Sequence, residues 1–413
     1  MDTTSRHYLP VTVVAVGSLT VVTSEMAPVG LLPQMAAGLH VNTGTAGLAM
    51  TAPGLVAAAT ALLFALRGGR ADRRTLLLAS SGTLAVANLA AALAPAFPVL
   101  LAARLLTGLA IGVFWSVAAG LGPRLVPAPA VGRATTLILG GVQVANVAGV
   151  PATALIGRAA GWRAAFLVLA VAALAIGAAI ALLVPRLPAP SAADSTRIGA
   201  VLGGPAGRAV RWALAAQFLA VLGHFAAYTY VTPALRDLAG VAAGTVGVLL
   251  ALYGAAGLIG NFVGVPLVSR SGRSWTTGAL VLVTALAPLT LPLLAHGTGS
   301  GTAMLLLWGL GYGAAPALLL LDIFRAAPQA TETAGALGTF AFNLAIALGA
   351  AAGGAVVDAA SVPVTLVAGG AVLIVAALLS VRARALAGRR APETVIARQE
   401  PEKEPVTGSR QPA

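Results

Sequence analysis

The chain contains no cysteine, which excludes disulfides, thiolate metal sites and dithiol redox chemistry. Its four histidines, His7, His40, His224 and His296, are scattered without metal-ligand spacing, so no metal site is expected. No Gly-rich phosphate loop ending in Lys and Ser or Thr is present, which argues against direct ATP drive. No serine-histidine-acid set can be assembled either, so an enzyme is not expected. Charge is scarce: 9% of the 413 residues are charged against 58% hydrophobic, and the mean hydropathy is +0.93. A soluble domain could not hide that much apolar surface, so the chain reads as an all-α, multi-pass membrane protein.

About 20 apolar residues cross the roughly 30 Å of bilayer hydrocarbon. By that measure spans fall near 11–33, 45–66, 75–95, 98–122, 134–157, 164–184, 211–233, 245–267, 275–295, 302–324, 334–356 and 362–383, twelve in all. The first run exceeds a secretory h-region and is expected to stay as a span. The net charge of +13 could suggest nucleic acid, but with the N-terminus inside, all but four of the 25 basic residues fall in inside segments. The exceptions are Arg158, Arg163 and Arg236 outside and Arg104 within a helix. This asymmetry predicts a cytoplasmic-membrane protein with both termini cytoplasmic, and leaves no nucleic-acid partner to explain.

The sequence echoes itself at an offset of 200 residues. Pro33, Val41, Gly44, Thr45 and Gly47 recur as Pro233, Val241, Gly244, Thr245 and Gly247, and Arg70 and Arg73 recur as Arg270 and Arg273. Asn146 and Gly157 find a similar echo in Asn343 and Gly354. Two pseudo-symmetric six-helix halves follow, 1–185 and 209–387, with a substrate site between them near the midplane and rocking of the halves for alternating access. The Pro-, Ala- and Ser-rich stretch 186–208 reads as a cytoplasmic linker and 388–413 as a disordered cytoplasmic tail.

Only two acids fall within the expected spans, Glu25 and Asp322. An acid in hydrocarbon costs about 2.5–3.5 kcal/mol on insertion scales, so it is a functional candidate by default. Glu25 is read as the proton-carrying group of a transporter; the alternative is an acid pinned by a neighbouring helix for packing. Asp322, three residues before Arg325 and close to a helix end, is read as a solvated interface pair. Counting 1.5 Å per residue puts Glu25, Arg104 and His224 at one depth. A Glu25–Arg104 ion pair would hold the acid ionised, and its loss during rocking would load a proton; the alternative for Arg104 is a snorkelling or structural cation. His224 could relay protons or bond a ligand, or be a neutral histidine bonded to a helix. With Tyr228, Gln143 and Trp115 it forms the expected substrate cavity. Asn146 and Asn343 are read as helix-packing or gating residues. Gly149, Pro151, Gly157 and Gly354 suit close helix approach or bending.

The stretches TSEMAPVGLLPQMAAGL, LAARLLTGLAIG, GGVQVANVAGVPATALIGRAAGWRAAF and GHFAAYTYVTPAL resemble the major facilitator superfamily. More narrowly they resemble its twelve-helix drug:proton antiporter branch, with the arabinose-efflux-like, purine-efflux and chloramphenicol-resistance permeases. The resemblance implies the major facilitator fold, first and fourth helices that line the cavity, an Arg104 linked to proton coupling and a fifth-helix glycine-proline stretch associated with export. It also implies a basic loop motif, here Arg70, Asp72, Arg73 and Arg74 with Arg270 and Arg273 in the second half. That motif departs from the family pattern, because its usual aspartate position is Gly69 or, in another register, Asp72 without the following glycine; a run of arginines beside a membrane can also simply anchor to headgroups. The expected activity is export of small apolar or amphipathic compounds in exchange for protons. The gradient is the energy source, no cofactor is needed, and the partners are substrate, protons and lipid around a monomer. The alternatives are a selective exporter of a metabolite such as a sugar, nucleoside or purine, or a transport-dead membrane sensor.

Overall fold

The structure is a computed structural model that describes residues 3–67, 71–118, 121–127, 130–188, 198–203, 207–271, 273, 275–328 and 330–388. Its twelve long helices are α1 (Thr3–Gly38), α2 (Thr43–Arg67), α3 (Arg73–Ala92), α4 (Phe97–Ala118), α5, α6 (Trp162–Leu183), α7 (Gly207–Tyr228), α8 (Ala243–Ser271), α9 (Thr276–Leu294), α10 (Thr298–Ala326), α11 (Thr331–Ala359) and α12 (Val362–Gly388). α5 comprises Val131–Val144, a π-helical turn at Ala145–Gly149, and Val150–Ala160. Each contains a stretch long and apolar enough to cross a membrane. An even number of helices puts the start of α1 and the end of α12 on one side of the bundle, the terminal side; the opposite side is the far side.

The first helix, expected over 11–33, begins at Thr3 and runs on to Gly38 because Pro33 lies inside it without ending it. In lipid, a carbonyl released by proline can be claimed by another helix, so proline loses its force as a stop signal. The loop expected between Pro33 and Gly44 therefore shrinks to the few residues between Gly38 and Thr43. At the seventh span the reverse occurs: the helix ends at Tyr228 and a separate short helix, Val231–Asp237, carries Pro233 in its first turn. The linker also holds more order than its composition suggests. A short helix at Ile198–Gly203 puts Val201 into one buried cluster with Val210, Ile323 and Leu337. Of the tail, only Gly388 falls among the described residues.

The halves meet along two seams, α2 on α11 and the later part of α5 on α8. Glycines set the distance in both. A Cβ on Gly44 would sit 2.2 Å from the Gly354 carbonyl oxygen, and one on Gly254 would sit 2.4 Å from that of Asn146. Four hydrogen bonds between the halves lie at the far side. Asp358 accepts from the Gly44 amide (2.9 Å) and the Thr45 hydroxyl (3.3 Å), Tyr230 donates to the Gly44 carbonyl (3.4 Å), and Thr232 donates to the Val29 carbonyl (2.7 Å). Asp358 thus caps the first turn of α2, where unpaired amides favour an anion. On the terminal side a cavity of about 640 Å³ lies between α1 and α5, walled by Val16, Leu19, Leu137 and Val144, among others, with exposed Arg133 on its lining.

Candidate functional site

Pro28 of α1 and Pro53 of α2 provide no amide hydrogen for the carbonyls four residues earlier, Ser24 and Ala49. In a bilayer those oxygens need a protein donor. Arg104 of α4, fully buried, supplies it: Nη1 donates to the Ser24 carbonyl (2.9 Å), Nε to Ala49 (2.8 Å) and Nη2 to the Glu25 carbonyl (2.8 Å). The same logic recurs at Pro33, whose missing amide frees the Val29 carbonyl that Thr232 bonds from the other half. This corrects the expected Glu25–Arg104 ion pair. The guanidinium touches the Glu25 backbone, and among the described residues no ion pair joins it to the carboxylate. Two proline-freed carbonyls and a neighbouring one take three of its five N–H donors.

The Glu25 carboxylate makes no ion pair at hydrogen-bond range among the described residues. It is 5% exposed, and its Oε1 has no hydrogen-bond partner. Its neighbours on α1, Val22, Met26 and Val29, pack into the same core cluster as Phe225, Tyr228 and Tyr253 of the second half. Beside it Ser24 donates to the Asn88 side-chain oxygen (2.8 Å).

The second half answers with aromatic rings. His224 and Tyr228 of α7 lie one turn apart, as do Trp308 and Tyr312 of α10, so each pair shares a helix face. His224 stacks on Tyr312 at 3.3 Å and on Tyr228 at 4.9 Å between centroids, and Tyr228 stacks on Tyr253 of α8 at 4.7 Å. Trp308 donates its Nε1 hydrogen to His224 Nδ1 (3.2 Å), so His224 carries no proton on that nitrogen. The Tyr312 hydroxyl is buried without a partner, and it lies within electrostatic range of Glu25. Half-buried Leu19, Trp115, Val142, Phe218 and Phe342 pack against this cluster. By chain position, Leu19, Trp115 and Phe218 lie on its terminal side. Tyr253, Trp308 and Tyr312 were missed from sequence; the signal available was the four-residue spacing of Trp308 and Tyr312.

Of the expected cavity residues, His224 and Tyr228 are in the ring cluster and Trp115 packs against it. Gln143 is half-buried on α5 just before the π-helical turn. That turn has a local cause. Pro151 cannot donate, and the Val150 amide reaches back five residues to the Ala145 carbonyl. Gly149 lies against Thr23, Gly157 against Leu31, and Gly354 against Tyr230 and Gly44, each too close for a Cβ. Half-buried Asn146 sits in the π-helical turn with its carbonyl on Gly254, and Asn343 donates back to Thr339 of its own helix (2.9 Å).

The charged groups of the terminal side are built into each half. Asp72 caps α3, accepting from the Thr75 amide (3.1 Å), and also accepts from the Leu187 amide (2.8 Å) after α6. The Arg73 amide donates to the Leu187 carbonyl, and the Arg74 side chain to the Ala181 carbonyl. Arg270 and Arg273 are exposed, and Arg70 lies outside the described residues. Asp322 does pair with Arg325 (2.9 Å), but the pair is not solvated at the acid: Asp322 is 4% exposed and also meets Arg384 of α12 (3.3 Å). Arg384 further donates to Thr276 and Thr277 of α9, closing the cluster over Asp322. Among the described residues no group of three or more His, Asp or Glu could hold a metal ion.

Comparison with known proteins places this geometry. The family model of the Major Facilitator Superfamily matches residues 14–350. A transcription regulatory protein named OpdE from Pseudomonas aeruginosa is 34% identical over 394 residues, covering 93% of this chain and 96% of that one. A chloramphenicol efflux pump of Mycobacterium tuberculosis is 34% identical over 367 residues, covering 85% and 88%. The inner membrane transport protein YdhP of Escherichia coli is 31% identical over 392 residues, covering 94% and 97%. A crystal structure of a bacterial homologue of the human lysosomal transporter Spinster, inward-facing and unoccupied, superposes with a TM-score of 0.72 at 15% identity, covering 94% of this chain and 99% of that one. Two six-helix halves with a buried acid at their junction, a family model spanning most of the chain and transporters at over 30% identity agree: the chain belongs to the major facilitator superfamily.

Proposed function

We propose that the protein is a proton-coupled antiporter of the cytoplasmic membrane that exports small apolar or amphipathic compounds, working as a monomer with both termini in the cytoplasm. The observation that carries this reading is the Glu25 carboxylate, buried where the halves meet, with one oxygen unpartnered. Such an oxygen accepts either a proton or a hydrogen bond from a ligand, and that exclusion is what couples the two fluxes. The α1–α5 cavity on the terminal side supports entry from the cytoplasm, because it reaches Leu19, six residues or about 9 Å of helix from Glu25. Its apolar walls suit apolar cargo. The arginine excess in the terminal-side segments supports the orientation. In this reading Arg104 acts as a fixed cation that ties α1 and α2 to α4 beside the acid. The chloramphenicol pump among the relatives favours drug-like cargo over a selective metabolite exporter.

The test is proton release in inverted vesicles on addition of candidate compounds, with Glu25→Gln as the comparison. Compound-driven proton movement in the parent and none in Glu25→Gln is expected; equal movement in both would make Glu25 structural and overturn the reading. A second reading, a membrane sensor that moves nothing, is favoured by the regulatory name of one relative. It predicts saturable ligand binding with no flux in either protein.

A further inference from the structure

The α1–α5 cavity owes its shape to glycine spacing. Gly141, Gly149 and Gly157 recur along α5 and seat it on α1, against Ala15, Thr23 and Leu31, which are spaced likewise. The two helices therefore run in parallel and in contact from Gly141 toward the far side. On the terminal side of Gly141 they part, and a Cβ on Gly140 would meet nothing within 4 Å. The cavity of about 640 Å³ left there falls within the range of small-molecule sites, about 300–1,000 Å³.

Its polar and apolar parts are separated. The walls are Val16 and Leu19 of α1 and Leu137 and Val144 of α5. At the terminal-side mouth stand Arg133 and Thr136, both exposed and, at three residues apart, on one face of α5. Among the described residues no acid lines the cavity and no ion pair engages Arg133. Arg133 precedes Gly141 by eight residues and Glu25 follows Ala15 by ten, so helical rise sets the two charged residues about 27 Å apart in depth. The cavity mouth is thus a different place from the buried acid. An uncharged compound would leave the guanidinium unused, and a cation would be repelled by it. An anionic head on an apolar chain suits both parts: the head takes a charge-assisted, forked bond at the wet mouth without losing all its water, and the tail buries apolar surface deeper in. We infer that this cavity binds a single-chain organic anion, a carboxylate or sulfonate whose tail runs from Arg133 toward Leu19.

This rests on the reading of the cavity as the cytoplasmic entry, but it is tested by occupancy alone. Gly140→Cys puts a thiol on the cavity lining of a chain that has no other, and its alkylation by uncharged N-ethylmaleimide is timed with the full chain in phosphatidylcholine nanodiscs. Octanoate should slow the reaction saturably, whereas octanol and octyltrimethylammonium, with the same tail, should need concentrations at least about tenfold higher. Arg133→Gln should raise the half-protecting octanoate concentration by about tenfold or more and leave that of octanol unchanged, with Arg133→Lys between. Gly82→Cys on α3, also at a glycine whose Cβ would meet nothing within 4 Å, should react at one rate throughout, which separates occupancy from a general effect on the bilayer. Equal protection by octanol or the cation, unchanged octanoate protection in Arg133→Gln, equal slowing at Gly82→Cys, or no protection by octanoate overturns the inference. So does protection by phosphatidylglycerol nanodiscs alone, which would make a bilayer lipid the occupant. Octanoate protection in the expected pattern, with proton flux unchanged in Glu25→Gln, would overturn the antiport reading and leave the inference standing. Glu25-dependent flux driven by uncharged compounds, without octanoate protection, would do the reverse.

Discussion

Arg104 is assigned here to carbonyls released by Pro28 and Pro53, and that assignment can be tested by returning the missing amides. Arg104→Met keeps the side-chain bulk and removes the charge. It orphans the Ser24 and Ala49 oxygens, now bonded at 2.9 and 2.8 Å, in a fully buried setting. Each buried unsatisfied carbonyl costs about 1–3 kcal/mol, so the loss should reach about 2–6 kcal/mol. Pro28→Ala and Pro53→Ala each restore an amide hydrogen four residues along the helix. Introduced into Arg104→Met, the two replacements should recover much of the loss; introduced into the parent they should recover nothing of the kind, because the oxygens are already bonded. The readout is the unfolding rate of the purified protein in detergent, where every 1.4 kcal/mol or so is about tenfold. The quantity of interest is the difference between backgrounds, which cancels the general effect of proline on helix propensity. A coupling below about 0.5 kcal/mol would refute the reasoning, since independent sites add to within that margin. If the repaired variant is stable yet fails to move protons, the charge of Arg104 also acts on Glu25.

Three further outcomes are expected. Gly44→Ala puts a Cβ 2.2 Å from the Gly354 oxygen, so α2 and α11 must part by about 1 Å at the far side, an overpacking cost of about 1–3 kcal/mol; spin labels on cysteines placed at Asn42 and Ala360, convenient in a cysteine-free chain, should report longer distances, and Gly82→Ala, which meets nothing within 4 Å, should not. Gly149→Ala, whose Cβ would lie 2.0 Å from Thr23 Oγ1, should lower thermal stability by a similar amount, and Thr23→Ala should rescue it; equal loss with and without Thr23 would place the strain in the π-helical turn instead. Asp322→Asn breaks a buried pair with Arg384 and should cost about 3–5 kcal/mol of stability while leaving the pH dependence of flux unchanged; a shifted profile would bring Asp322 into proton coupling.

The number of spans and their division into two halves were legible because hydropathy and repeat offset are properties of the chain alone. Proline was where the reading failed. Pro33 looked like the end of the first helix, yet α1 continues to Gly38 because Thr232, 203 positions away in sequence, bonds the carbonyl that Pro33 releases. Arg104 looked like a partner for the Glu25 carboxylate because no local rule states that two prolines on other helices compete for its donors. The ring cluster was half visible: His224 and Tyr228 stood out as polar rings within an apolar span, whereas Tyr253, Trp308 and Tyr312 sit among glycines and leucines and acquire meaning only when α7, α8 and α10 are packed together.

The proline-carbonyl pairs also differ in what happens to them when the halves rock. Arg104, Ser24, Glu25 and Ala49 all belong to the first half, so those bonds travel as one body and keep α1, α2 and α4 tied beside Glu25 in both facing states. The Thr232 bond to Val29 crosses between halves and must break for the far side to open. In hydrocarbon that would strand an oxygen at the full desolvation cost of about 1–3 kcal/mol, but an opening far side admits water, and an exchange of a protein donor for water costs only about 0.5–1.5 kcal/mol. The same holds for Gly44 against Asp358 and Tyr230. Bonds that stay dry are thus kept within a half, and bonds that must break lie where water arrives as they part, so the seam can release without a large barrier while the acid keeps its setting.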